Sequence, residues 1–269
     1  MPTHFPIGFM LWRIGPIVDL EEQLAWTQQY AFDAIGLHAH PGQPGEWQGL
    51  DPATTDAATR QRWRELLAPY ARREVHAPMP APAEVTLDNP QAAVPVLVPA
   101  IKLAGDIGAE VVTVHARTPP KDEPAPADWL QALIDLDNAA GEAGVSIGLE
   151  LREDFEWLDR LPLAHTGLTL DVGHMYHRDS APIRPYGSLG NLVRAVHRHL
   201  VHIHVHDINP AGLDHIECGT GIIPYEELMS ALAEVGYQGM LCMELNPNRT
   251  QPEGIPRSWE RLLRAMGES

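Results

Sequence analysis

The segment LVHIHVHDIN (200–209) carries histidines at alternate positions, His202, His204 and His206, with Val201, Ile203 and Val205 between them. On a strand the two sets face opposite ways, and the apolar one should pack against covering helices, leaving the imidazoles to point inward at successive heights. Six further apolar runs end in a residue able to bind a metal or move a proton: His38, His76, His115, Glu150, Asp171 and Glu244. A single strand-end histidine is ordinarily a hydrogen-bonded rim residue, and a single carboxylate there a helix cap. Seven such ends in succession mean something else. Carboxylates crowded on one rim repel each other and lose water, a cost that a divalent cation removes. His204 stands at the height of the other strand ends and is the expected ligand. His202 falls a layer deeper, as a structural hydrogen-bonded histidine, and His206 falls at the loop. Glu150 and Glu244 close well-separated strands, so a substrate between them could lose a proton to one and regain it from the other. That geometry suits proton transfer next to a carbonyl, through an enediolate that a cation stabilises.

The elements that must position these residues are short Val-, Ile- and Leu-rich runs alternating with segments of helical period. Strands are predicted at 6–11, 34–38, 73–77, 110–115, 145–150, 167–171, 200–205 and 239–244. Helical spacing is clearest at 19–31, through Leu20, Leu24 and Trp26, and at 225–235, through Leu228, Leu232 and Val235, with Gly236 as a stop. Eight βα units without a composition break predict an α/β fold, a single-domain (β/α)8 TIM barrel over 1–269. A doubly wound open sheet is the rival, but the turn after the first run, Trp12-Arg13-Ile14-Gly15-Pro16, lacks a Gly-rich phosphate fingerprint. Long loops at 78–95, 117–127 and 175–188 fall on the C-terminal face, where barrels of this kind build their sites.

Charge narrows the partners. The chain has 19 Lys+Arg against 36 Asp+Glu, a net charge of -17 with its 14 histidines neutral. Such a surface repels a phosphate backbone, so no nucleic-acid partner is expected. No basic leader precedes the first apolar run and no stretch reaches the length of a membrane span, which predicts a cytoplasmic protein without signal peptide or membrane partner. The two cysteines, Cys218 and Cys242, have no neighbour at metal-binding spacing and are read as small buried residues in a reducing compartment. A homo-oligomer is compatible with all of this.

Together GLE (148–150), LDVGH (170–174), HVHD (204–207), GTGIIPYEELMSAL (219–232) and GYQGMLCMEL (236–245) resemble, in order and spacing, the xylose-isomerase-like barrels. That family includes sugar isomerases, ketose 3-epimerases, inosose dehydratases and type-IV apurinic-site endonucleases. The resemblance implies one divalent ion (Mn2+, Co2+, Mg2+ or Zn2+) and no organic cofactor, with Glu150, Asp171, His204 and Glu244 as ligands and Glu150 and Glu244 as the catalytic acid/base pair. It implies that His174, His76, His115 and His215 bind substrate, His76 and His115 holding a further metal in the endonuclease branch. Where the endonucleases place an aspartate two residues before that last histidine, this chain has Leu213, and the adjacent Asp214 should point elsewhere. His38 and Trp12, with Trp47, could wall a sugar, and Arg178 and Arg184 could hold a phosphate, although solvated loop charges are the plainer account. The expected activity is a metal-dependent isomerase or epimerase acting on a sugar, keto-sugar or polyol. The alternatives are a keto-inositol or keto-sugar dehydratase, a zinc-dependent phosphodiesterase of abasic DNA, and a non-catalytic barrel that binds a small molecule.

Overall fold

Runs such as VVTVH and LVHIHV are rich in β-branched residues and flanked by polar turns, and they are too short for buried helices. They fold as strands. The computed structural model describes residues 4–79, 82–177 and 182–267. In it β1 (Ile7–Leu11), β2 (Ala34–His38), β3 (Arg72–His76), β4 (Val111–His115), β5 (Ser146–Glu150), β6 (Thr166–Asp171), β7 (Leu200–Val205) and β8 (Leu241–Met243) pair in parallel and in chain order to close a barrel. Each lies within two residues of its predicted bounds. The eighth is the shortest, so Glu244 stands just beyond its strand instead of within it.

Seven α-helices cover the barrel among the described residues: α1 (Leu20–Thr27), α2 (Ala57–Leu67), α3 (Val94–Ile107), α4 (Ala127–Ala143), α5 (Leu189–Val196), α6 (Tyr225–Glu234) and α7 (Gly254–Ala265). Asp19 caps α1 by accepting from the Glu22 N–H, and Asp56 caps α2 by accepting from the Thr59 N–H. The predicted first helix ends early, because Gln29 and Tyr30 bond three residues back and tighten its last turn. None of these helices is long and apolar enough to cross a membrane.

The expectation of eight complete βα units is corrected at the fifth. Pro162 interrupts the link from β5 to β6, which forms a 3-10 turn at Phe155–Asp159 in place of an α-helix. Phe155, Trp157 and Leu158 of that turn are buried. The Trp157 indole N–H donates to the Pro119 carbonyl at 2.7 Å, fixing the turn to the loop after β4. At the other end, the buried Asp137 of α4 accepts from the Ala164 N–H (3.1 Å), the His165 N–H (2.8 Å) and the Thr166 hydroxyl (2.7 Å). One carboxylate thus does the anchoring of the missing helix.

Register decides which strand ends meet. His38 pairs with His76, His115 with Glu150, and Asp171 with His204. The last match depends on a register shift between Leu168 and Thr169, where the pairing passes from Leu200 to His202 and skips Val201. A strand slipped by one residue would present Ile203 beside Asp171. Outside the barrel, one large apolar cluster fills the space under the helices. Inside, a small apolar cluster of Met10, Ala34, Met240 and Cys242 shares the space with buried polar side chains that include Glu74, Thr113, Thr169, His202 and His204.

Replacing Asp137 with Ala should leave two backbone N–H groups without their acceptor and lower stability by about 3 kcal/mol. Chemical denaturation of Asp137→Ala against the parent measures it, and a loss under about 0.5 kcal/mol, the range of ordinary surface changes, would show that the link is held by other contacts.

Candidate metal centre

Three carboxylates from β5, β6 and the end of β8 meet at the C-terminal mouth: Glu150, Asp171 and Glu244, each at most 5 % exposed. Carboxylates at that depth repel each other and lose hydration unless positive charge reaches them. His204 does so first. Its Nε2 lies 2.6 Å from Glu74 Oε1, and with that nitrogen as the donor, Nδ1 is turned to Glu244 Oε2 (3.2 Å) and Glu150 Oε2 (3.6 Å). Burial opposes charge on this imidazole, yet Glu74 and then Glu244 hold its pKa well above the usual histidine range.

His76 approaches the same space from β3. Its Nδ1–H donates to the Ala77 carbonyl at 2.8 Å, which leaves a lone pair on Nε2, and this atom lies 4.0 Å from both Glu150 Oε2 and Glu244 Oε1. Those separations are too long for hydrogen bonds and suit donors arranged about a common ion. Glu150 Oε2, His76 Nε2 and His204 Nδ1 are all buried and without a hydrogen-bond partner. The donor atoms of Glu150, Asp171 and His204 lie within 4.8 Å of one another, as do those of His76, His204 and Glu244. Mixed carboxylate and imidazole donors match a divalent transition ion or Mg2+, so these residues fit the cation expected at this mouth. Burial raises both glutamate pKa values, but His115 for Glu150 and His204 for Glu244 outweigh it and hold the carboxyls well below the usual range. Both are therefore ionised and able to accept protons.

Two flanking sets extend the centre. His115 Nε2 lies 3.2 Å from Glu150 Oε2, and His76, His115 and Glu150 form one further group of converging donors. Asp171, His174, His206 and His215 form another. There the His174 Nδ1 faces Glu150 Oε1 at 3.0 Å, and the His174 backbone N–H donates to Asp171 Oδ1 at 2.9 Å. His206 stands just past the end of β7, at the loop as expected, and is fully buried there. Its Nδ1 accepts the His215 N–H (2.9 Å), so Nε2–H is the donor to Asp171, 2.9 Å from Oδ1 and 3.1 Å from Oδ2. Gly173 makes this possible, because a Cβ there would sit 2.0 Å from His206 Cε1.

His215 stacks on His206 with ring centroids 3.9 Å apart and planes 12° from parallel. It holds a left-handed backbone, φ 50°, unusual for a residue with a side chain, and its carbonyl accepts the Asn246 N–H. Asp214 is not one of that group's converging donors but contacts one of them: it lies 3.1 Å from His215 Nδ1 and 2.9 Å from His177 Nε2, and pairs with Arg249. Burial opposes charge on His215, but its bonds to Asp214 and Glu244 raise its pKa to about 10. The site therefore has a cationic arm over Glu244.

On the opposite rim, burial first and His76 second push His38 down to about 3, so it stays neutral. Its ring sits edge-on to Trp12 (5.7 Å) and Trp47 (5.3 Å), and these three form an aromatic wall. A cavity of about 430 Å³ opens at the fourth and fifth strand ends, with Glu84, His115, Arg117, Glu150 and Arg152 among its lining residues. Arg184 lies in a 3-10 turn at Arg184–Tyr186, while Arg178 lies outside the described residues.

Sequence reasoning missed Glu74. Its signal was spacing: Glu74 is two residues before His76 and so shares its inward face. His202 lies a layer below the mouth, as expected, with its Nε2 2.7 Å from Glu74 Oε2.

Against known proteins, a family model described as "Xylose isomerase-like TIM barrel" matches residues 24–266. An uncharacterized protein of Methanocaldococcus jannaschii is 26 % identical over 165 residues, 54 % of each chain, so the match spans about half the length of that relative. Among solved structures, a xylose isomerase domain protein from Planctomyces limnophilus superposes with a TM-score of 0.75 at 18 % identity, over 98 % of both chains. A D-tagatose 3-epimerase-like protein gives 0.69 at 22 % over 97 % of both. The IolI protein with a bound zinc atom gives 0.69 at 16 %, over 97 % of this chain and 98 % of that one. At these identities the likeness is one of fold.

Removing the His206 ring should free Asp171 to rotate. His206→Ala is expected to weaken divalent-cation binding by about 10–100-fold, as read by calorimetric titration of the folded variant. Unchanged affinity would remove His206 from the site's support.

Proposed function

Because the chain belongs to the xylose isomerase-like TIM barrel family, we propose that it is a divalent-metal-dependent isomerase or epimerase of a sugar or keto-sugar, working by proton transfer next to a carbonyl. One observation carries this reading: Glu150 and Glu244, ionised and buried, face a common space from β5 and β8, each 4.0 Å from the same His76 nitrogen. A cation held by Glu150, Asp171, His204 and Glu244 would supply Lewis acidity, polarising a carbonyl and acidifying the neighbouring C–H. The proton work belongs to the side chains. One glutamate removes the proton from the carbon beside the carbonyl and the other delivers a proton from the opposite side, which inverts that carbon or moves the carbonyl. His215, charged and fixed by Asp214, offers an N–H to a substrate oxygen on the Glu244 side. His174 and His115 do so beside Glu150. Trp12, Trp47 and the neutral His38 give an apolar wall suited to a sugar face and limit water at the reacting carbon. The solved epimerase-like and xylose isomerase domain proteins of similar fold support a sugar substrate.

A second reading, a multi-metal phosphodiesterase, is favoured by the two flanking donor groups, which could seat further ions. The acidic net charge of -17 opposes a DNA substrate.

The test is deuterium wash-in. Metal-loaded protein in D2O with a panel of ketohexoses and ketopentoses should place deuterium on the carbon beside the carbonyl, followed by NMR. Glu150→Gln and Glu244→Gln should each slow this by about 10²–10⁴-fold. Full exchange in both variants would overturn the assignment, and metal-dependent cleavage of abasic duplex without any exchange would select the second reading.

A further inference from the structure

Below the mouth, β3, β7 and β8 bring a second group of donors into the barrel: Glu74, His202 and Cys242, at 1 %, 0 % and 0 % exposure. The two oxygens of Glu74 are treated differently. Oε1 accepts from the Thr113 hydroxyl at 2.7 Å and lies 2.6 Å from His204 Nε2. Oε2 lies 2.7 Å from His202 Nε2, yet neither atom makes an aligned hydrogen bond with the other or with anything else, and His202 Nδ1 is equally without a partner. A buried polar atom without an aligned hydrogen bond is rare, and here two face each other as a close ion pair while a third, His202 Nδ1, has no partner at all. Cys242 Sγ completes the set, its donor atom and those of Glu74 and His202 all within 4.8 Å of one another.

We infer that Glu74, His202 and Cys242 form a second cation site in the body of the barrel, distinct from the one at its mouth and selective for a zinc-like ion. The thiol decides the selectivity, because sulfur with imidazole and one carboxylate suits Zn2+ or Co2+ and discriminates against Mg2+ and Ca2+. Loading exchanges the Cys242 S–H bond for a sulfur–metal bond and releases that proton to solvent. One donor of the site, His202, also faces a cavity away from the mouth. That cavity, of about 440 Å³, opens on the N-terminal face between strand starts and is lined by Arg72, Glu110, Ser146, His202, Gln238 and Met240. Arg72 stands at it, paired with Glu110 at 2.6 Å and donating to the Gln238 carbonyl at 3.0 Å. An ion entering there need not pass Glu150 or Glu244, so the inference is independent of the reaction proposed for the mouth.

Cobalt reports on the ligand directly, since a thiolate bound to Co2+ adds a near-ultraviolet charge-transfer band that oxygen and nitrogen donors do not give. The full chain, stripped of metal and titrated with Co2+, should develop that band. Cys242→Ser should lose it together with one cobalt per chain by elemental analysis, while Cys218→Ser, altering the other buried cysteine, should keep it. Glu244→Gln should weaken cobalt binding at the mouth and leave the band in place, so a failure of the mouth assignment reads differently from a failure here. Absence of the band from the parent protein at saturating Co2+, or its survival in Cys242→Ser, would overturn the inference.

Discussion

Four carboxylates sealed inside one barrel, Glu74, Glu150, Asp171 and Glu244, govern the arrangement of everything around them. Removing each from water costs several kcal/mol unless a partner compensates it. The compensation comes almost entirely from imidazoles. His202 and His204 meet Glu74, His115 and His174 meet Glu150, His206 meets Asp171, and His204 and His215 meet Glu244. Imidazole suits this task because it can donate on one side and present a lone pair on the other. His76 is set up that way, donating to the Ala77 carbonyl behind it and turning the lone pair of its second nitrogen to the mouth, while His204 holds Glu74 with one nitrogen and turns the other to Glu244 and Glu150. A lysine or arginine in either place would neutralise charge but offer no lone pair.

Holding so many polar groups in register falls to the backbone. Parallel pairing carries His115 beside Glu150, and the shift at Leu168 and Thr169 carries His204 beside Asp171. The apolar support lies outside the strands, under the helices, and this frees the inner layers for polar side chains. Many barrels fill that interior with branched aliphatics. Here Thr113 and Thr169 hydroxyls, 3.1 Å apart, occupy part of it beside Glu74.

The strands and their chemistry were legible because the signal was local: short apolar runs, each closed by a residue of unusual type. The fifth unit misled because the length of residues 151–165 allows a helix and only the placement of Pro162 and the apolar Phe155, Trp157 and Leu158 argues for a turn. Glu74 was hidden for a different reason. It lies mid-strand in RREVH, where a charged residue reads as an outward-facing one, and its meaning appears only when β7 is placed across the barrel from β3. His206 was legible as a loop residue past the strand's end, but its burial against Asp171 was not, because that contact depends on how the chain turns after β7. The family resemblance carried the fold and pointed to the residues at the mouth, while Glu74 and His206 lie beneath and behind them.

The pairing of Gly173 with His206 has a consequence for how this protein can change. Any side chain at 173 would overlap the imidazole, and the glycine has an ordinary helical φ of -68°, so crowding alone excludes alanine there. Position 173 is open to mutation only in a background where residue 206 is already small. The two sites form an epistatic pair, and an evolutionary path that changes position 173 must begin with the residue that follows β7.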